Sequence, residues 1–214
     1  MASSKKGGDG FTGKTGRTVV YLLNGKLVKR EIGYSTKPPT ELQKAGFQIT
    51  SITSKFLSPF KEVIDLGYKL EAKNTGKTPY NHATSNIRLN AITGTYPEQR
   101  IDYPNVLLTK GNKPLTEGLS INAVEDGLLF SWDPAVSDSG RRWNDQAIMV
   151  AYIPSMRELF YLLNGARRTE GSDILNIPRF KDTVVIETYI SFIAASHKSV
   201  SNSVYTGQVI WEGL

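Results

Sequence analysis

Hydrophobic and polar positions along the 214-residue chain change their period from segment to segment. After a glycine-rich start without apolar pattern, Thr18–Leu23 and Lys26–Ile32 are β-prone runs on either side of Asn24-Gly25. Asn-Gly accepts the positive φ that both central residues of a two-residue turn require, so these runs predict a β-hairpin. Its first arm is apolar on both faces, at Val19, Val20, Leu22 and Leu23. An isolated hairpin is only marginally stable, so this one is expected to add to a sheet or pack on a helix. Lys37-Pro38-Pro39 forces extended chain, and Thr40-Glu41-Leu42-Gln43 reads as a capping box. Leu42, Ala45, Ile49, Ile52 and Phe56 then recur at alternating steps of three and four, the stripe of one helix face. Ser58-Pro59 interrupts it and Phe60, Val63 and Ile64 carry it to Gly67. A core-facing helix explains this stripe better than a coiled coil between chains, because it holds too few clean heptads. Thr78-Pro79 opens a weaker helix through Ile87, Ala91 and Ile92 that Gly94 closes.

Strand-like pieces follow at 100–103 and 106–109, and Lys110–Gly118, rich in turn formers and charge, is the expected linker. Beyond it the period is two. Leu119–Val124, Gly127–Trp132, Gln146–Ile153, Leu159–Asn164, Asp173–Ile177, Thr183–Ile193 and Val204–Trp211 predict seven short strands with turns between them. The expected fold is α+β: an N-terminal hairpin and helices, then a C-terminal antiparallel β-sandwich. Three regions are expected: a basic arm and hairpin at 1–34, a helical and mixed region at 35–112, and the sandwich at 113–214. The order Leu128-Leu-Phe-Ser-Trp132, a Tyr-bearing strand, Leu175-Asn-Ile177 and Val184–Tyr189 resembles a fibronectin type III domain. That resemblance implies that Trp132 on the second strand and Tyr189 on the sixth fill the core, and implies nothing about chemistry.

The net charge of +6 is unevenly placed. Residues 1–30 hold seven cations (Lys5, Lys6, Lys14, Arg17, Lys26, Lys29, Arg30) and one acid, Asp9, while the remainder is balanced. A basic arm on a neutral body suits nucleic acid, an acidic membrane surface or an acidic patch on a neighbouring subunit. With 39% apolar residues the chain has material for a real core, and its lack of cysteine removes disulfides and thiolate chemistry. The apolar runs are too short to span a bilayer. The charged start has no apolar stretch behind it, so no secretory signal peptide is indicated; an intracellular origin is the default, with extracellular or virion-associated assembly open.

Gly8-Asp-Gly-Phe-Thr-Gly-Lys-Thr15 matches the phosphate-loop pattern, yet no hydrophobic strand precedes it and a hairpin, not a helix, follows. Glycine-rich composition explains the match. His82 and His197 have no second ligand at metal spacing, no GxSxG elbow occurs, and Glu125-Asp126 beside Gly127 reads as a turn. No catalytic residue, cofactor or metal site is therefore expected. Arg141-Arg142-Trp143 has the composition of an interface hot spot, or Trp143 tucks against the sandwich edge with its arginines solvated. Arg167-Arg168 is a second, weaker case.

Phe11–Gly16, the hairpin ending in basic residues, Pro39–Gln43, Phe56–Pro59, Asn90–Pro97, Ile101–Pro104, Leu108–Gly111 and Ser201–Gly207 together resemble a family of chains of about this length, widespread in Bacteroidota, with no assigned activity. Ala45-Gly46 departs from the basic residues that the likeness leads one to expect after Gln43. The sequence points to a noncatalytic, self-assembling structural protein: a filament, tube or virion-like subunit forming a homo-oligomer by strand addition. Val19, Val20, Leu22 and Leu23 are the expected buried anchors, and Arg17, Lys29 and Arg30 the orienting charges. The alternative is a nucleic-acid- or surface-binding module acting through the same cations.

Overall fold

The computed structural model describes residues 3–4, 11–23, 25–34, 36–134 and 143–213. The chain divides into two compact units, residues 1–40 and 41–214. In the first, β1 (Ser3–Ser4), β2 (Phe11–Thr15), β3 (Thr18–Leu23) and β4 (Lys26–Glu31) form a sheet in the order β1-β2-β3-β4, every pair antiparallel. The expected hairpin is there: Leu22 faces Leu27 and Leu23 faces Lys26 across the two-residue connection, with Gly25 at φ 77°. Glycine takes that conformation without the clash a Cβ would bring. The glycine-rich start contributes more than an arm, since Gly13, Lys14 and Thr15 pair with Val20, Val19 and Thr18.

The second unit opens with α1 (Glu41–Leu57), a 3-10 turn at Ser58–Phe60, α2 (Lys61–Gly67), α3 (Lys69–Ala72) and α4 (Pro79–Asn90). Pro59 lies in the first turn of the 3-10 segment and interrupts the helix there. The stripe of α1 is buried only at its end, at Phe56 and Leu57 beside Thr53. At its start Leu42 is 83% exposed, so the sequence period marked a helix without marking how much of it is covered. Thr78 caps α4 by accepting a hydrogen bond from the Asn81 amide at 3.2 Å. That helix ends at Asn90, and Ile92, expected to extend it, begins a small ladder of β5 (Ile92–Thr93) with β6 (Arg100–Ile101).

The strands that follow match their expected positions closely: β7 (Ser120–Val124), β8 (Gly127–Ser131), β9 (Gln146–Ile153), β10 (Glu158–Leu162), β11 (Ser172–Asn176), β12 (Val184–Ile193) and β13 (Val204–Trp211). They form a three-stranded sheet, β11-β8-β7, and a four-stranded sheet, β10-β9-β12-β13, both antiparallel throughout. The four-stranded sheet has a core on each face. From β9, Ala147, Met149, Ala151 and Ile153 enter the core shared with Leu128, Phe130 and Trp132 of the three-stranded side. The alternate residues Ile148, Val150 and Tyr152 enter a second core with Phe56, Phe60, Ile64 and Ile87 of the helical segment. Each fully buried side chain of this size contributes about 1.5–3 kcal/mol, so neither layer is dispensable.

Two expectations are corrected by this layering. Regions 35–112 and 113–214 are not separate bodies, because the helices supply half of a core whose other half is the four-stranded sheet. Nor is Lys110–Gly118 a linker. Lys113 and Thr116 are buried, and a Cβ on Gly111 would run into the Val200 carbonyl. The segment 108–113 is stitched to 200–203: the Leu108 amide donates to Ser203 Oγ (2.8 Å), Thr109 Oγ1 to the Ser201 carbonyl (2.8 Å) and the Lys113 amide to the Val200 carbonyl (3.1 Å). Composition suggested a linker because turn formers and charge are there; Gly111 serves a close backbone approach instead. Trp132 lies in the inter-sheet core as expected, but Tyr189 faces the helices, so the two aromatics fill different cores.

Candidate functional site

The register of the N-terminal sheet sorts its side chains. Directly opposed residues of an antiparallel pair share a face, so Val20, Leu22, Leu27 and Lys29 lie on one side and Lys14, Val19, Tyr21, Leu23, Lys26, Val28 and Arg30 on the other. Val19 and Val20 are half-buried, whereas Leu22, Leu23 and Leu27 are 52%, 54% and 53% exposed. Over residues 12–23, 25–34 and 36–40 no residue is buried. Within one chain, then, the four expected anchors are only partly covered or not covered at all. Arg17 lies over the Tyr34 ring at 5.9 Å and Arg30 over Tyr21 at 5.7 Å, within cation–π range. Lys29 is exposed. β4 pairs only with β3 among the described strands, leaving its outer edge of amides and carbonyls available.

The second expected site is partly outside the described residues, where Arg141 and Arg142 fall. Trp143 is 57% exposed and stands apart from both cores, with Arg167 5.3 Å from its ring centre. The adjacent Arg168, half of the weaker hot-spot candidate, is fully buried. Its guanidinium stacks on Phe192 at 3.9 Å, its Nη2 donates to the Pro114 carbonyl at 3.2 Å, and its Nε lies 3.5 Å from Asp145. Lys113 Nζ sits 2.9 Å from both oxygens of the same carboxylate. This buried cluster was invisible in sequence because its members lie 23 to 55 positions apart. Each partner compensates the desolvation of the other, which makes the cluster a fastening of the fold.

A third polar group lies at the margin of the helix-facing core. Glu187, buried, accepts from Tyr205 Oη at 2.6 Å and from Gln208 Nε2 at 2.9 Å. Tyr189 Oη donates to the Tyr103 carbonyl at 2.9 Å, and Tyr152 is the cross-strand partner of Glu187. Burial, reinforced by the Glu187 charge, pushes the Tyr103 phenol up to about 12 and those of Tyr189 and Tyr205 higher still. The Tyr189 and Tyr205 phenols donate to fixed partners, an arrangement that holds the sheet together.

Phe11–Thr15 is a strand that turns at Gly16 into β3, so no helix follows Lys14 to receive a phosphate. His82 Nε2 is 2.9 Å from Thr75 Oγ1, and among the described residues no three acidic or histidine side chains gather as metal ligands. No described helix is long and apolar enough to cross a membrane. The site with the most unmet contact potential is thus the N-terminal sheet. In comparison with known proteins, residues 10–207 match the model of a family described as Family of unknown function (DUF6266). No curated protein and no solved structure matches the chain.

Proposed function

The chain belongs to the family of unknown function DUF6266, and from its own residues we propose that it is a noncatalytic, self-assembling structural protein, a filament, tube or virion-like subunit whose N-terminal sheet contacts a neighbouring copy. One observation carries this reading: over residues 12–23 and 25–31 the sheet has no buried residue, yet it presents three leucines more than half exposed and an edge strand, β4, paired on one side among the described strands. A single layer of strands with aliphatic side chains on both faces gains stability only when something covers it. Strand addition at β4 supplies backbone hydrogen bonds for affinity and alternate side chains for register. Arg17, Lys29 and Arg30 orient the approach, and a head-to-tail contact of this kind propagates unless it closes into a ring. The test is the mass of the protein in solution against concentration, for the full chain and for a variant lacking residues 1–34. Large particles from the full chain alone support the proposal; equal assembly by the shortened variant refutes it.

A second reading has its own observation. Lys14, Lys26 and Arg30 share a face with Tyr21, an arrangement suited to phosphates and a stacked base. A nucleic-acid-binding module of this kind loses affinity steeply as salt rises, because neutralised phosphates release counterions. We also place residues 119–211 as a relative of the fibronectin type III sandwich. The three-plus-four division of seven strands and the Trp132 position support that placement; the Tyr189 position departs from it.

A further inference from the structure

Among the described residues, two exposed aliphatic pairs each include a residue of an edge strand that pairs on one side. One is Leu22–Leu27, where β4 forms the edge. The other is Val185–Ile210, register partners on β12 and β13, 40% and 65% exposed. Val184 and Ile186 point into the inter-sheet core, so Val185 projects from the opposite face, the one the helices cover elsewhere. β13 pairs only with β12 among the described strands, as β4 pairs only with β3.

The charges around the two pairs are opposite. Asp182 and Glu212 line the groove that Ile210 borders, and both are exposed with no ion-pair partner among the described residues. Lys181 on the same groove offsets one of them. Arg179 is engaged elsewhere, with the Trp211 ring and the Glu125 carbonyl. Beside Leu27 stand Lys26 and Lys29, exposed and likewise without an ion-pair partner among the described residues, and Lys29 shares the face of Leu22 and Leu27.

Resting on the assembly reading, we infer that β13 of a second copy is the acceptor edge for β4, with Leu27 placed beside Ile210. The two pairs then merge into one aliphatic row, Val185, Ile210, Leu27, Leu22, across the joined sheets. With the two strands parallel and Leu27 beside Ile210, Lys29 of the donor falls beside Glu212 of the acceptor on the same face, next to Asp182 of the groove. Adjacent strands lie about 4.8 Å apart, a spacing within reach of a disulfide between neighbouring residues.

The chain has no cysteine, so this contact can be trapped cleanly. Leu27→Cys and Ile210→Cys are made as separate full-length variants, one enlarged by a tag, then mixed under a mild thiol oxidant. Both positions are exposed, and matching thermal unfolding verifies that each variant folds. The expected product is a disulfide heterodimer of tagged and untagged chains, in excess of either homodimer. Asp182→Lys with Glu212→Lys in the Ile210→Cys chain lowers its yield by about tenfold, and Lys26→Glu with Lys29→Glu in the other chain restores it. Assembly of the full chain without that heterodimer, or with a yield indifferent to charge reversal, overturns the β13 acceptor while leaving self-assembly standing. A full chain that stays monomeric at every concentration overturns both.

Discussion

Replacing Asp145 by asparagine keeps the shape of the side chain and removes one buried charge. In the native chain that carboxylate faces Lys113 Nζ at 2.9 Å and Arg168 Nε at 3.5 Å, and all three side chains are buried. At an effective dielectric constant of about 20, each contact is worth roughly 5–6 kcal/mol of attraction, set against a desolvation cost of several kcal/mol for every ion. In the Asp145→Asn variant two cations stay in the interior without their counter-charge, and removing one member of such a group costs about 3–5 kcal/mol. Against a total stability of roughly 5–15 kcal/mol that is a large share. Urea unfolding followed by tryptophan fluorescence is the assay, since Trp132 Nε1 donates to the Arg168 carbonyl at 2.7 Å and reports directly on the site. With a slope of about 2 kcal/mol per molar urea, the midpoint falls by roughly 1.5–2.5 M. Lys113→Met removes a cation and leaves the Asp145–Arg168 pair balanced, so its cost is smaller, under about 2 kcal/mol. An Asp145→Asn midpoint equal to that of the unaltered protein, or a Lys113→Met loss exceeding that of Asp145→Asn, refutes the argument that the carboxylate holds the two cations in place.

Alkaline pH is expected to destabilise the chain in a defined window. Burial raises the Tyr103 phenol to about 12 and those of Tyr68, Tyr189 and Tyr205 further, so above about pH 10 the unfolded chain releases protons that the folded one retains. Stability from these groups is complete below pH 10 and declines as pH rises; unfolding midpoints that stay level from pH 9 to about 12 contradict this. Gly111→Ala forces a Cβ against the Val200 carbonyl and is expected to cost about 1–3 kcal/mol in thermal or urea unfolding, while Gly46→Ala, with open space around it in α1, is expected to stabilise slightly. Equal effects at the two positions argue against the close approach.

Local chemistry was legible where it decided local structure. Gln146–Ile153 and Val204–Trp211 were delimited to the residue because alternation and flanking turn formers act over a few positions, and Asn24-Gly25 fixed its hairpin for the same reason. Burial was less legible. Ala147 through Ile153 carries no polar alternate, the mark of a strand covered on both faces, and that mark announced a third layer that the sandwich reading passed over. Parity also carried the Tyr189 placement: Val184, Ile186, Ile190 and Phe192 are even-numbered and enter one core, while Tyr189 and Ile193 enter the other. Neighbouring Arg167 and Arg168 differ completely in environment because only the latter meets Asp145, a contact no local pattern encodes.

The stitching of residues 108–113 to 200–203 has a consequence for the order in which the chain is made. A ribosome that has released the helices and the first strands after them has not yet supplied Ser201 and Ser203, the partners of Thr109 and Leu108, nor β13. Helices whose core needs Tyr189, Ile193 and Val200 wait through most of synthesis with their apolar faces bare. Residues 41–214 therefore acquire their fold together once β12 and residues 200–203 have been made, and a nascent chain halted before Tyr189 leaves the helices without those partners.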